Sequence, residues 1–429
     1  MVNFFFRKRM LLGSIKTTER IVFFNILALP FWYFSLLSIL GMSHFGEQES
    51  PLYWVLVIFS SIMAYSFIAL RIFINGHIRL SLLPLYLLPV AIVFIYLWTG
   101  NFTGLAFQSI ALFLVFVAPA FYVGIELGSK ASIEEYSQTL FGLGLLVSVG
   151  VLATIPVVLN TDLNVLFEVF AGGHYQSLSY FASLAFVIIL VHLFAINGNK
   201  SGLMILMLVL LLIGDLAVIF FSGGRGGLVV ITFGILAVMV LKLSVRKFLT
   251  ITLIIVLSLY LMVTLLQNVD FLFKDRVIES SMRLISYIVD GGIDFSKTSN
   301  RDIYYGQAIE YISQRPIFGY GLFGVIDHSP DPYFGLPGLY YPHNLFLEVL
   351  LHGGIIYLAV FLTIFIWFGY KFYRMIACDV SQILLLPFFS YSFVQLMFSG
   401  TYLQETLFWF VFAYVMAYPS REFHIKNRQ

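Results

Sequence analysis

The chain has 429 residues, 60% of them hydrophobic and 11% charged, with 24 Lys and Arg against 22 Asp and Glu. A soluble domain carries roughly 25% charge, so water is not the main solvent here. A net charge of +2 gives no electrostatic footprint for a nucleic-acid partner, and a single cysteine, Cys378, excludes an intramolecular disulfide and any cysteine-based metal cluster.

In chain order, Arg7, Lys8, Arg9, Lys16 and Arg20 precede the first apolar run, and no small-residue cleavage site follows it. That run is expected to be a retained span rather than a cleaved signal peptide. Apolar runs then recur as far as residue 418, each of about 17–25 residues and able to cross a hydrocarbon core of roughly 30 Å. The predicted spans are 21–41, 52–70, 80–98, 104–124, 139–159, 177–196, 202–221, 227–241, 248–266, 345–370, 381–400 and 402–418. No repeat period or low-complexity linker divides them, which predicts one transmembrane domain over 1–429. The expected fold class is all-α: a polytopic membrane protein with about 12 transmembrane helices and one large, partly helical loop at 267–343.

Charge assigns a side to each connection. With the basic N-terminus inside, the inner connections carry Arg71 and Arg79, Lys130, Lys200, Lys242 with Arg246 and Lys247, Lys371 with Arg374, and Arg421, Lys426 and Arg428. Each is basic, as the positive-inside rule requires, and both termini fall on the cytoplasmic side. The opposite connections at 42–51, 99–103 and 160–176 hold no Lys or Arg. Two outer connections depart from this pattern. One is the turn Ser222-Gly223-Gly224-Arg225-Gly226-Gly227; the other is the 267–343 loop, which carries Lys274, Arg276, Arg283, Lys297, Arg301 and Arg315.

Within the long loop, 271–289 has helix-like alternation, and Arg276 and Arg283, seven apart, fall on one face. Residues 301–313 read as a second amphipathic helix with Asn300 as its N-cap. Gly319, Gly321, Gly324, Pro330, Pro332, Pro337 and Pro342 then force an irregular path back to the membrane.

The residues that could carry chemistry lie on this outer side. Arg225 sits among four glycines, whose missing side chains let backbone approach a ligand and expose N–H groups to an anion; the plainer reading is an arginine snorkelling to the headgroups. Arg301 opens a helix, where a cation opposes the macrodipole unless an anion offsets it; the plainer reading is a surface pair with Asp302 or Glu310. Arg276 and Arg283 suit either a substrate phosphate or an amphipathic helix on anionic lipid. His343 stands where the loop re-enters the bilayer. An imidazole there can take a proton from a hydroxyl, or it can cap the helix or anchor at the interface. Glu348 and His352 lie five and nine residues beyond His343, neither at the i+4 spacing of a metal pair, so no metal is expected. Glu348 is a candidate to orient an arginine, because carboxylates inside spans rarely stay unpaired. Asp215 and Glu405 are the acids placed deep in spans. Tyr304, Tyr305, Tyr320, Tyr333, Tyr340 and Tyr341 could stack on sugar rings or form an interfacial belt.

Three segments together carry a resemblance: Ser222-Gly-Gly-Arg225-Gly-Gly; Asn300-Arg301 with Arg315-Pro316-Ile317-Phe318-Gly319-Tyr320-Gly321; and Pro342-His343-Asn344-Leu-Phe-Leu-Glu348 with Gly354 and Tyr357. Over roughly residues 205–365 the chain resembles the O-antigen ligase and polymerase family of bacterial membrane glycosyltransferases. The resemblance implies a large periplasmic loop, an inner-membrane location, and transfer of a sugar chain from undecaprenyl diphosphate to a hydroxyl of a glycan acceptor. Arg225 and Arg301 would then hold the diphosphate and His343 would act as general base, with Arg276, Arg283, Arg315, Asn344, Glu348 and Tyr341 as the substrate-binding set. The reaction is expected to invert the anomeric centre and to need no metal or other cofactor, while Asp302, Asp327 and Asp331 leave a carboxylate nucleophile open. The acceptor is another lipid-linked repeat unit in a polymerase, with a possible chain-length regulator as partner, or lipid A–core in a ligase. Other classes that fit the span count are a secondary transporter and a non-catalytic scaffold.

Overall fold

The structure is a computed structural model and describes residues 25–40, 51–75, 80–99, 104–130, 133–155, 175–194, 201–222, 225–242, 301–325 and 342–419. Among the described residues no strand occurs. Segments that are apolar on every side leave the backbone only its own helix to satisfy it once water is absent. The helices are α1 Asn25–Ile39, then α2 Pro51–Asn75, α3 Leu83–Thr99, α4 Gly104–Leu112, α5 Ala118–Gly128, α6 Ser137–Ala153, α7 Tyr175–Phe194, α8 Gly202–Ser222, α9 Arg225–Lys242, α10 Arg301–Gln314, α11 Leu345–Cys378, α12 Leu386–Phe398 and α13 Thr406–Ala417.

Seven stretches are long and apolar enough to cross a membrane, and four shorter apolar helices, Asn25–Ile39, Leu83–Thr99, Gly226–Met239 and Thr406–Ala417, fall on further predicted spans. The predicted span 248–266 lies outside the described residues, as do the predicted helix 271–289 with Arg276 and Arg283, Asn300, Asp327, Asp331 and Tyr341. One boundary is corrected: the final predicted span, 402–418, begins as a helix only at Thr406, because 402–404 form a turn. Glu405 is therefore the N-cap residue of α13, not an acid deep in a span.

Helix α7 is the centre, with α6, α8, α9 and α12 packed around it and every residue from Leu184 to Val191 buried. A second tight pair is α5 with α13. Gly124 and Gly128, four apart on α5, admit the partner backbone: a Cβ on Gly128 would stand 2.2 Å from the Tyr414 carbonyl oxygen and one on Gly124 2.5 Å from that of Phe410. Small residues at this spacing let membrane helices approach closely. Between α4 and α5 the chain makes a π segment, Phe113–Val117. Its loosened carbonyls accept from α2, where the Tyr65 hydroxyl donates to Leu114 O at 2.6 Å and the Ser61 hydroxyl to Val115 O. Large apolar side chains on the outward faces of α2, α8 and α11, among them Phe59, Leu206 and Trp367, are exposed, the surface a hydrocarbon solvent would cover.

The bundle has two chemically different ends. At one, the Lys371 ammonium donates to Met416 O at 2.7 Å, the Tyr414 hydroxyl donates to Gln382 at 2.9 Å and accepts from Ile133 N at 3.2 Å, and His192 Nε2 lies 3.0 Å from Ser137 O. The opposite end gathers the first turns of α7, α9 and α11, helix α10 and the 399–405 turn.

Candidate functional site

The site end is assembled from three helix starts. Arg225 is the first residue of α9 and Arg301 the first of α10. Each arginine therefore heads a helix, where the first N–H groups have no partner within the helix and an anion is favoured. A helix start was expected at Arg301, and α9 adds one at Arg225.

The glycines after Arg225 have a different role from the one expected. A Cβ on Gly226 would lie 2.2 Å from the Tyr180 hydroxyl, and one on Gly227 2.2 Å from Ser179 Oγ and 2.6 Å from Ser179 O. They seat the start of α9 against the start of α7, so packing rather than ligand approach accounts for both. The Tyr180 hydroxyl in turn lies 3.2 Å from Ser399 Oγ, which ties this corner to the turn before α13.

Helix α10 forms where expected, and its apolar face covers a small core of its own. Ala308, Tyr320, Val325 and Leu351 are buried together with Tyr311, Ile312 and Leu347 against them. The segment Arg315–Gly321 then runs into α11, which is a helix only in name across residue 354. Gly354 has φ 63° and ψ −163°, so the helix breaks there into a short arm, 345–353, and a long one beyond. A break inside apolar surroundings leaves backbone groups to satisfy. The Arg315–Gly321 segment supplies the partners: Tyr320 N donates to Leu351 O at 2.8 Å, Gly321 N to His352 O at 2.9 Å, and Ile355 N to Pro316 O at 2.8 Å. The two backbones approach so closely that a Cβ on Gly319 would stand 2.6 Å from Leu351 O and one on Gly354 2.2 Å from Ile317 O. Two motifs that sequence placed in separate regions thus form one lock. Arg315, expected on substrate, is exposed, with its guanidinium carbon 4.7 Å from the centre of the Tyr320 ring.

His343 precedes the short arm with φ 52°, a conformation side chains rarely adopt. Asn344, not His343, caps the helix: its Oδ1 accepts from Phe346 N at 3.0 Å and Leu347 N at 3.2 Å. That leaves the imidazole half-buried beside α10, its centre 5.9 Å from that of the Tyr304 ring. Tyr304 is one turn along α10 from Arg301, so the base candidate and the start of α10 are neighbours.

Glu348, named in the substrate-binding set, has partners within the bundle. It is 1% exposed, and its carboxylate accepts from the Thr401 hydroxyl and from Tyr402 N at 3.4 Å. His352, four residues on and hence on the same face, places Nδ1 2.8 Å from the Tyr402 hydroxyl. Tyr402 also hydrogen-bonds Tyr357, and its carbonyl accepts from Trp409 Nε1 at 2.5 Å. Burial, reinforced by Tyr357 and Glu348, holds the Tyr402 phenol well above its ordinary range, so it stays a neutral hydroxyl. The 399–405 turn was missed by sequence reasoning. The available signal was the i, i+4 spacing of Glu348 and His352; both had been measured only from His343. Asp215, the mid-span acid, is buried and accepts from the Ser148 hydroxyl at 2.9 Å, which binds α8 to α6.

No curated protein and no solved structure matches the chain. Residues 208–362, which run from α8 through the Arg225 turn and α10 to the His343 arm, match the family model described as O-antigen ligase. That segment, which contributes α9, α10 and the short arm to this end of the bundle, is similar to the O-antigen ligase family.

Proposed function

We propose that the protein is a glycosyltransferase that moves a sugar chain from undecaprenyl diphosphate to a hydroxyl of a glycan acceptor, at the periplasmic face of the bacterial inner membrane with both termini in the cytoplasm. The observation that carries this reading is the convergence at one end of the bundle of the Arg225 helix start, α10 with Arg301 at its head, and His343 beside Tyr304. A carrier would place its polar groups at mid-depth; here the mid-span Asp215 is buried against Ser148 instead.

In the proposed reaction the acceptor oxygen attacks the anomeric carbon, the bond from that carbon to the diphosphate oxygen breaks, and the lipid diphosphate leaves with the electron pair. His343 takes the acceptor proton. Arg225 and Arg301 offset the charge that develops on the diphosphate, since arginine forks bind phosphate oxygens bidentately and stay charged. Direct displacement inverts the anomeric centre. Arg276, Arg283, Arg315, Asn344 and Tyr341 extend the site toward lipid headgroups, phosphate and sugar rings. Because arginines take the place of a divalent ion, transfer proceeds undiminished in chelator.

The acceptor we assign first is a second lipid-linked repeat unit, which makes the protein an O-antigen polymerase with a chain-length regulator as partner. The second reading is transfer of the finished chain to lipid A–core, and the family match, described as O-antigen ligase, is compatible with either acceptor. Reconstituted protein supplied with a lipid-diphosphate-linked oligosaccharide tests the class: absence of undecaprenyl diphosphate release with every acceptor rejects glycosyl transfer. Deleting the gene separates the subclasses. A single capping repeat indicates a polymerase, and bare core with accumulated lipid-linked polymer indicates a ligase.

A further inference from the structure

The short arm of α11 that leads out of His343 is held from two sides by different means. On one side the grip is backbone to backbone, through Pro316, Tyr320 and Gly321. On the other it is made by side chains: Glu348 with Thr401 and Tyr402, and His352 with Tyr402. The same turn reaches the start of α9 through Ser399 and Tyr180, whose hydroxyl lies against Gly226. It thus bridges the start of the helix that begins with Arg225 and the arm that begins after His343.

We infer that the 399–405 turn is a positioning element of the transfer site, in which Thr401 and Tyr402 hold Glu348 and His352 on one face of the short arm and so fix where His343 stands relative to the Arg225 helix. The inference rests on the transfer reading given above. Stability alone does not call for this construction. A fully buried carboxyl beside a buried imidazole is expensive to desolvate, and well-packed apolar residues of similar volume commonly replace such groups without loss. What directional hydrogen bonds add is one fixed orientation. For a base that must meet an acceptor proton, placement matters steeply, since a shift of about 1 Å can cost about 10²-fold in rate. None of the four residues need touch substrate; they act through His343.

The test measures kcat and donor KM in liposomes with an undecaprenyl-diphosphate-linked oligosaccharide, for wild type, Thr401→Val, Thr401→Ser and Tyr402→Phe. Thr401→Val keeps the shape and removes the hydroxyl that Glu348 accepts from. It is expected to lower kcat about 10- to 100-fold while donor KM stays within about twofold, because the arm tilts and the diphosphate site does not. Thr401→Ser restores the hydroxyl and is expected to return kcat to within about threefold of wild type. Wild-type kcat in Thr401→Val, or an equal loss in the Val and Ser variants, overturns the inference. If Thr401→Val does not insert, Tyr402→Phe decides: it removes one hydroxyl from His352 and leaves the Tyr402 N–H to Glu348, so a fall in kcat at constant KM supports the positioning role and an unchanged kcat rejects it. A wild type that transfers nothing removes the parent reading and this one together, whereas an active wild type with active variants removes this one alone.

Discussion

The two ends of the bundle are built from similar polar groups put to opposite uses. At the Lys371 end, ammonium, phenol and imidazole each find a backbone or amide partner on a neighbouring element, and among the described residues the irregularity there is confined to the 3-10 turns Ile133–Tyr136 and Val380–Leu385. At the His343 end, carboxylate, imidazole and hydroxyls are spent on shaping loops. All five positive-φ residues found among those described, Gly319, Gly321, Phe323, His343 and Gly354, lie at this end. Backbone held in sparsely populated conformations persists only where surrounding structure over-determines it, and such conformations concentrate at functional sites. The lesson of the difference is that polar burial by itself does not locate a site in a membrane bundle. Polar burial combined with positive-φ backbone does.

Substitutions can break that contrast, beginning with the largest expected effect. His343→Ala, Arg225→Ala and Arg301→Ala should each reduce transfer by about 10²–10³-fold or more while the protein still inserts, the scale seen when a general base or a transition-state charge donor is removed. Full activity in His343→Ala would remove it as the base. Gly354→Ala should come next. Its φ and ψ fall in a region reserved for glycine at a cost of about 1–3 kcal/mol, and the added Cβ meets Ile317 O at 2.2 Å. A thermal midpoint in detergent equal to wild type would show that the Arg315–Gly321 segment does not lock the break. Lys371→Met at the opposite end should have the smallest effect. Losing the bond to Met416 O should cost about 1–2 kcal/mol of stability, with kcat unchanged. A selective loss of kcat there would mean that the ends are coupled and would dissolve the contrast.

Much of the bundle was legible because a hydrocarbon solvent leaves a strong mark on sequence. Apolar length alone located α1 through α9 and α11 through α13, and the amphipathic 301–313 pattern located α10. The site was legible in part. Motif residues announced Arg225, Arg301 and His343, yet their glycine neighbours were misread, because Gly226 looks the same in sequence whether a ligand or Tyr180 fills the space where its Cβ would be. The packing partners of Glu348 were hidden for a related reason. Its partners Thr401 and Tyr402 lie 53 and 54 residues away in the chain, and nothing local to either segment encodes that pairing. Backbone-to-backbone contacts, such as Tyr320 N to Leu351 O, leave even less trace, since almost any residue supplies a carbonyl.

The break at Gly354 also sets a height. From Ile355 to Lys371 the helix runs for 17 residues, roughly 25 Å at 1.5 Å per residue, which is close to the thickness of a hydrocarbon core. If the long arm fills that core, the short arm and His343 stand at the level of the headgroups, where the phosphates of the proposed lipid-linked donor would float. The long arm is then a ruler cut to the membrane. Bilayers thicker or thinner than this length would lift or sink the imidazole against its substrate, making transfer rate a readout of lipid chain length.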